Sequence, residues 1–324
     1  DGRSVIRASA LSGRVASLDG QIHLKMRCIT NLSEGVVIDA DLDGRSLNGG
    51  GSLAITGLRS QVLPALGLIG HSDDVLQAAM DLDVDITTFG LERFQARFNA
   101  RSSRIRAGRA KRRVTAEDIS ISGRAEWNRR KVDIALLDLQ SASPAMKWSG
   151  SFSWTKDRPM AHPPIQISLK GANLEIPSIR DSLLKLFGGQ PVVERVLDIV
   201  REGKVPAVTL EVSAPDWQEL KGMKHLRAAC YLTGGRIKVP NDLFDLKHVS
   251  GHVTITGGRL AAHGISARQG NAVASQGELT MGLYDGSRVF SLDTLIDADV
   301  GELPGLLINL VRNQEILSHL QRLP

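Results

Sequence analysis

Cysteine is almost missing: Cys28 and Cys230 are the only two in 324 residues. That excludes a disulfide-stapled scaffold and a four-thiolate zinc site. Aromatic residues are also scarce, with seven Phe, four Trp and two Tyr. No run approaches the ~18 uninterrupted apolar residues of a membrane-spanning helix. Neither charge dominates, since 40 basic residues against 35 acidic ones leave +5, too mild to imply nucleic acid without a clustered surface. With 42% apolar and 23% charged residues, the composition is neither that of a disordered tail nor that of a membrane bundle. The chain opens at Asp1 in a glycine- and serine-rich stretch with no signal segment, and the expectation is a fragment of a longer protein.

What the chain does have is period-two alternation from end to end. In Ile22–Cys28 the even positions are apolar and the odd positions polar or basic, and Asp81–Ile86 alternates as strictly. The same pattern recurs in Asp118–Ser122, Ile165–Leu169, Val253–Thr256 and Glu278–Met281. Successive strand side chains point to opposite faces, so each run makes a strand with one wet and one greasy side. Half-buried strands of this kind belong to antiparallel sheets. Asp43-Gly44, Asn48-Gly49, Gly234-Gly235, Gly257-Gly258 and Asp285-Gly286 read as hairpin turns between them. Helices are few: segments 61–69, 73–80, 177–187, 191–202, 216–226 and 302–322 are the candidates, three of them beginning at Pro64, Pro177 and Pro304. The helices at 177–187 and 302–322 are expected to lay Leu/Ile stripes on the sheet, with Arg180, Lys185 and Arg312 toward solvent.

An internal repeat is also legible. Ala145–Trp154 matches Ala272–Met281 with Gly150 on Gly277, and Ala172–Pro177 matches Ala298–Pro304. The chain accordingly reads as an antiparallel β segment with short helices over 1–130, then a β/helix repeat segment over 131–324 with copies near 145–187 and 272–314. Thr155–Pro164, with three prolines, reads as an exposed loop. Arg101–Arg113 holds seven basic residues. Its plain reading is a solvated edge; its functional reading is a collar for anionic head groups, with Arg104, Arg106, Arg109 and Arg112 as candidate contacts. Only Phe94 and Phe98 lie close enough to stack bases, which disfavours nucleic acid as a partner.

Catalytic and metal signatures do not emerge. No GxSxG, HExxH, Walker loop or GxGxxG stands at a strand–helix junction. His248 and His252 are four apart, ~13 Å on a strand and too far to chelate one ion directly. Asp81, Asp83 and Asp85 share a face and read as its wetted side. No cofactor and no catalytic residue is expected. The apolar face must still be buried against something. A second sheet would make a sealed sandwich, whereas a sheet curled into a trough would leave the face for lipid chains; periodicity leaves both open.

Leu246–Leu283 resembles the repeating pattern of AsmA-like bacterial envelope proteins, including the YhdP and TamB branches: a G-x-V-x-I strand, a Gly-Gly turn, a short apolar strand, and a strand opening at Gly277. Asp297–Leu307 resembles their ADL-x-x-LP-x-LL element. The resemblance is strongest over 130–324. It implies a mainly β fold, a long curled antiparallel sheet with a hydrophobic groove and a few short helices. It also implies a non-enzymatic role in moving phospholipid toward the outer membrane, from a periplasmic site in a protein anchored in the inner membrane. Its partners would be phospholipid or another acyl-chain lipid and other envelope proteins, with membrane contact through regions outside this chain. Parity then nominates Leu82, Val84, Ile86, Ile119, Ile121, Ile165, Ile167, Leu169, Val253, Ile255, Leu279 and Met281 as groove residues. The competing expectation is a structural or assembly module of the envelope, a β-sandwich or rod with its core sealed.

Overall fold

A computed structural model describes residues 7–60, 77–109, 112–155, 164–187, 191–216, 219, 225–238, 245–283 and 289–299. The protein is mainly β. The first strands are β1 (Ala8–Leu18), β2 (Gln21–Thr30), β3 (Ser33–Asp43), β4 (Gly49–Arg59) and β5 (Gln77–Phe89). They are followed by β6 (Arg93–Arg109), β7 (Arg112–Asn128), β8 (Lys131–Ser141), β9 (Met146–Thr155) and β10 (Ile165–Glu175). Two helices come next, α1 (Ile176–Phe187) and α2 (Pro191–Ile199). The chain then continues through β11 (Val200–Ala214), β12 (Leu226–Lys238), β13 (Asp245–Thr256), β14 (Arg259–Gln269), β15 (Ala272–Gly282) and β16 (Phe290–Asp297).

The strands form one sheet in which spatial order equals chain order from β1 to β16, so the sheet does not close on itself. Each pairing resolved residue by residue is antiparallel, as the one-sided alternation demands. Contacts divide the chain into two compact units, Asp1–Gly171 with Val212–Lys221, and Ala172–Glu211 with Gly222–Pro324.

Several strands carry a residue in left-handed backbone at an interior position: Ala10 in β1, Gly57 in β4, Asp118 in β7, Asn173 in β10, His248 in β13 and Gln276 in β15 all have φ between 50° and 62°. Except at Asp118, where the pairing of β7 with β6 runs on unshifted, the register slips beside these residues wherever the pairing is resolved. These are β-bulges, which add a residue, bend the strand and sharpen its twist. They also flip parity. In β4 the apolar side passes from Ile55 to Leu58 across Gly57, so the side chains stay on one face although the spacing becomes three.

The bulges explain one departure from the sequence reading. Gly234-Gly235 is not a hairpin turn; it lies inside β12, where Gly234 has φ 57° and the register against β13 shifts. Gly257-Gly258 does form the β13–β14 turn. Of the helices, 177–187 corresponds to α1, and the segment at 191–202 ends at Ile199 because Val200 begins β11. The expectation of a helix over 73–80 fails for 77–80, which open β5: there the alternation Ala78, Met80, Leu82 overrides a helical reading. Leu226 likewise begins β12 rather than ending a helix. Segments 61–69 and 302–322 and the loop residues 156–163 lie outside the described residues, as does Arg312. Lys185 is exposed, but Arg180 is not: its Nε donates to the Leu197 carbonyl at 3.1 Å, joining α1 to α2.

In the second unit Ile199, Leu260, Ala262, Met281 and Leu283 form a buried cluster, with Val196, Val253, Ile255 and Leu279 packed against it. The α2 residues Val196 and Ile199 therefore cover the apolar side of β13–β15. At the rim, Arg236 of β12 donates through Nε and Nη2 to the two oxygens of Asp245 at 2.8 and 2.6 Å, and through Nη1 to Glu202 at 3.3 Å. The Arg236 hydrogen bonds hold the Asp245 carboxyl below its ordinary 3.8 and raise the guanidinium further. A depressed carboxyl contributes stability above its unfolded pKa and loses it as pH falls through the folded value. Urea midpoints of the wild-type chain and Asp245→Asn should therefore differ at neutral pH and converge as the solution is acidified below 3.8.

Candidate functional site

Register in the first unit brings the greasy sides of eight strands into phase. Following the pairing from β2 to β9, one row runs Ile22, Leu42, Gly49, Thr88, Phe94, Trp127, Val132, Trp154. The next runs Leu24, Ala40, Gly51, Ile86, Ala96, Ala125, Ile134, Phe152. The third is Met26, Ile38, Leu53, Val84, Phe98, Gly123, Leu136, Gly150, and the fourth Cys28, Val36, Ile55, Leu82, Ala100, Ile121, Leu139, Trp148. Residues directly opposite on paired strands share a face, so the four rows form one surface. Only Thr88 brings a hydroxyl to it, and that hydroxyl donates to the Leu47 carbonyl at 2.7 Å.

At about 4.8 Å between strands and about 3.4 Å per residue, the surface measures roughly 34 by 20 Å. Its geometric footprint is ~700 Å². Every residue in the rows is half-buried, apart from buried Ala100 and Gly123 and exposed Trp127. Both helices among the described residues belong to the second unit.

The reverse face is wet and charged. Lys25 meets Asp39 at 3.0 Å, His23 pairs with Asp41, and Lys131 meets Asp133 at 2.8 Å. Asp81, Asp83 and Asp85 stand on this side, opposite Arg101, Asn99 and Arg97. Between β5, β6 and β7 a cavity of about 350 Å³ is lined by Asp85, Gln95, Arg97, Arg124 and Glu126.

The nominated groove residues thus separate into three environments. Leu82, Val84, Ile86 and Ile121 lie in the half-buried rows. Ile119, one step beyond Ile121 and opposite Ser102, is buried, and Ile165 in β10 is fully enclosed, while Ile167 and Leu169 are half-buried. Val253, Ile255, Leu279 and Met281 belong to the helix-covered cluster of the second unit. Among the basic candidates, Arg104 is held by Glu117 at 3.1 Å and Arg106 is exposed opposite Thr115. The side chains of Arg109 and Arg112 lie outside the described residues, although their backbones form the last pair between β6 and β7.

Sequence reasoning missed most of this surface: Leu53, Phe98, Ile134, Leu136 and Phe152 belong to it as fully as Val84. Their signal was present but interrupted, because in β8 the apolar side jumps from Leu136 to Leu139 across a bulge that leaves Leu137 52% exposed. It also missed that His252 and His263 stand opposite each other, two hairpin strands counted back from the Gly257-Gly258 turn. His252 stacks on Tyr231, rings 4.6 Å apart, and His263 lies 3.7 Å from Glu278. His248 occupies a bulge, so even spacing does not place it in line with His252. Among the described residues no three His, Cys, Asp or Glu side chains are grouped to hold a metal, and no helix is long and apolar enough to cross a membrane, which says nothing of strands. Both cysteines are free; burial pushes the Cys230 thiol up, and Cys28 sits in the apolar rows. Compared with protein families, curated proteins and solved structures, the chain matches none.

Gly123 is a tight point of the rows where a side chain, and not only backbone, closes in. A Cβ there would strike the Phe98 ring and sit 2.7 Å from the Ala135 carbonyl oxygen, so the missing side chain is what lets Phe98 lie flat across β7. Gly123→Ala should cost about 1–3 kcal/mol in urea denaturation. The two environments can also be told apart: Met281→Ala, in the covered cluster, should cost about 2–5 kcal/mol, whereas Ile121→Ala, half-buried, should cost only about 1 kcal/mol.

Proposed function

We propose that this chain is a non-enzymatic lipid-binding segment whose first unit holds acyl chains along the apolar rows of β2–β9. The observation that carries the reading is the in-register apolar surface itself, left half-buried with no helix of its own unit over it among the described residues. Each methylene laid on such a surface gains about 0.8 kcal/mol. Since the rows are uniform, with neither a charge nor a free hydroxyl, chains can slide along them instead of lodging at one point. The charged reverse face keeps water on its own side. Together with the resemblance of 130–324 to AsmA-like proteins, this supports a segment of a periplasmic, inner-membrane-anchored protein that conducts phospholipid toward the outer membrane. A sealed structural module is favoured for the second unit alone, where Val196 and Ile199 close over Val253, Ile255, Leu279 and Met281.

A photo-crosslinking side chain at Ile121 should capture phospholipid in bacterial envelopes, and the same probe at Ser120, on the reverse face, should not. Val84→Asp should keep the far-ultraviolet spectrum of the folded chain while losing co-purified phospholipid, because a charge among acyl chains is poorly solvated. Equal capture at Ile121 and Ser120 would sink the reading, as would lipid-free wild-type protein by native mass spectrometry.

A further inference from the structure

The apolar rows end, at one end of the strands, on two neighbouring hairpin tips that differ from the rest of the surface. The tip between β5 and β6 carries Phe89, 46% exposed, and Leu91, 65% exposed; the tip between β7 and β8 carries Trp127, 39% exposed. Phe89 and Trp127 are the exposed Phe and Trp side chains among the described residues. Cations surround them. Arg93 lies over the Phe89 ring, 5.3 Å from its centre, and Arg129, Arg130 and Lys131 form the next turn.

Both tips are built to hold their shape. The Asn128 side-chain oxygen accepts the backbone N–H groups of Arg130 at 2.9 Å and Lys131 at 2.8 Å. Arg129 reaches Glu92 of the other tip at 3.5 Å, and Trp127 packs on Phe94 with ring centres 5.2 Å apart. Glu92 is the carboxylate on the tips themselves. Glu126 and Asp133 lie further back, 3.6 Å from Arg93 and 2.8 Å from Lys131. Such exposed pairs are weak, so an anionic surface can compete for their cations.

Exposed aromatics and a leucine ringed by arginine and lysine match the interface of a bilayer, where rings sit at head-group depth and long cationic side chains reach the phosphates. Interfacial binding grows with buried apolar area together with attraction to anionic lipid. The opposite end of β6–β7 offers exposed Arg106 and Arg113, but its described apolar side chains, Ile105 and Val114, are half-buried rather than exposed. We propose that the β5–β6 and β7–β8 tips are a docking edge for an anionic leaflet, seating Phe89, Leu91 and Trp127 at the acyl boundary with Arg93, Arg129, Arg130 and Lys131 on the phosphates. Apart from Trp127, which ends the first row, this edge uses residues outside the lipid-bearing rows, and the variants below leave Trp127 in place, so docking and lipid capture can fail separately.

The test is flotation of the whole chain with vesicles of equal parts phosphatidylglycerol and phosphatidylcholine, and with phosphatidylcholine alone. Binding to the anionic vesicles only, weakened by added salt, is expected. Arg129→Gln with Arg130→Gln should lower that binding about thirtyfold, and Phe89→Ser with Leu91→Ser should reduce it while the far-ultraviolet spectrum is unchanged. Arg106→Gln with Arg113→Gln should leave binding intact. Equal binding to both vesicle types, loss of binding only in the Arg106/Arg113 variant, or full binding by both tip variants would overturn the proposal. Capture of lipid at Ile121 by a chain that does not float would leave lipid carriage standing and remove the docking edge.

Discussion

Phase is the constraint on which the rest of this molecule depends. A strand alternates its side chains whatever its neighbours do, and a single-residue slip between neighbours would send the greasy side to water. From β2 to β9 seven successive pairings hold the same phase, so that Met26, Ile38, Leu53, Val84 and Phe98 come to stand side by side. Short turns enforce it. Gly44 donates its N–H to the Gly20 carbonyl and Asp43 accepts from the amides of Arg45 and Ser46, which fixes where β3 ends and β4 can begin. The cross-strand ion pairs of the reverse face work to the same end, since a slipped register would place Lys25 away from Asp39.

The bulges are the device that reconciles this phase with bent strands. Each adds a residue, so each should spoil the alternation; in β4 and β8 the apolar positions resume after a gap of three and the surface continues. Buried serines stabilise the irregular backbone. Ser102 donates to the carbonyl of Ala79, and Ser141 reaches those of Glu117 and Ser143. These are hydroxyls spent on carbonyls that a regular ladder would have satisfied.

How much was legible follows from this. Uninterrupted alternation, as in Asp81–Ile86 or Ile22–Cys28, reveals both the strand and the side that faces inward. Where a bulge intervenes, the period breaks and the strand reads as irregular, as around Leu137, and the Gly234-Gly235 pair read as a turn for that reason. Parity also says which residues share a face but not what covers it. Val84 and Val253 have the same local pattern, yet α2 lies over the second and, among the described residues, no helix of its unit over the first, a difference written some sixty residues away in Val196 and Ile199. The helical reading of 77–80 failed through competition, because Ala78 and Met80 suit either period and the long pairing of β5 with β4 and β6 decided between them. The hairpin tips were not marked at all, since Leu91 stands at a turn, where periodicity has no meaning, and Phe89 and Trp127 are the last large side chains of their strands.

Strand order that repeats chain order has a consequence for how such a molecule can change over time. Every strand between β1 and β16 is paired with the strands made just before and just after it, so strand pairing is sequential throughout and the sheet can form by addition of one hairpin to the last. Removing or duplicating two consecutive strands restores the same direction and the same phase at the junction, whereas removing one would reverse everything downstream. The length of the surface is therefore free to vary in steps of a hairpin, and its chemistry need not be reinvented at any step.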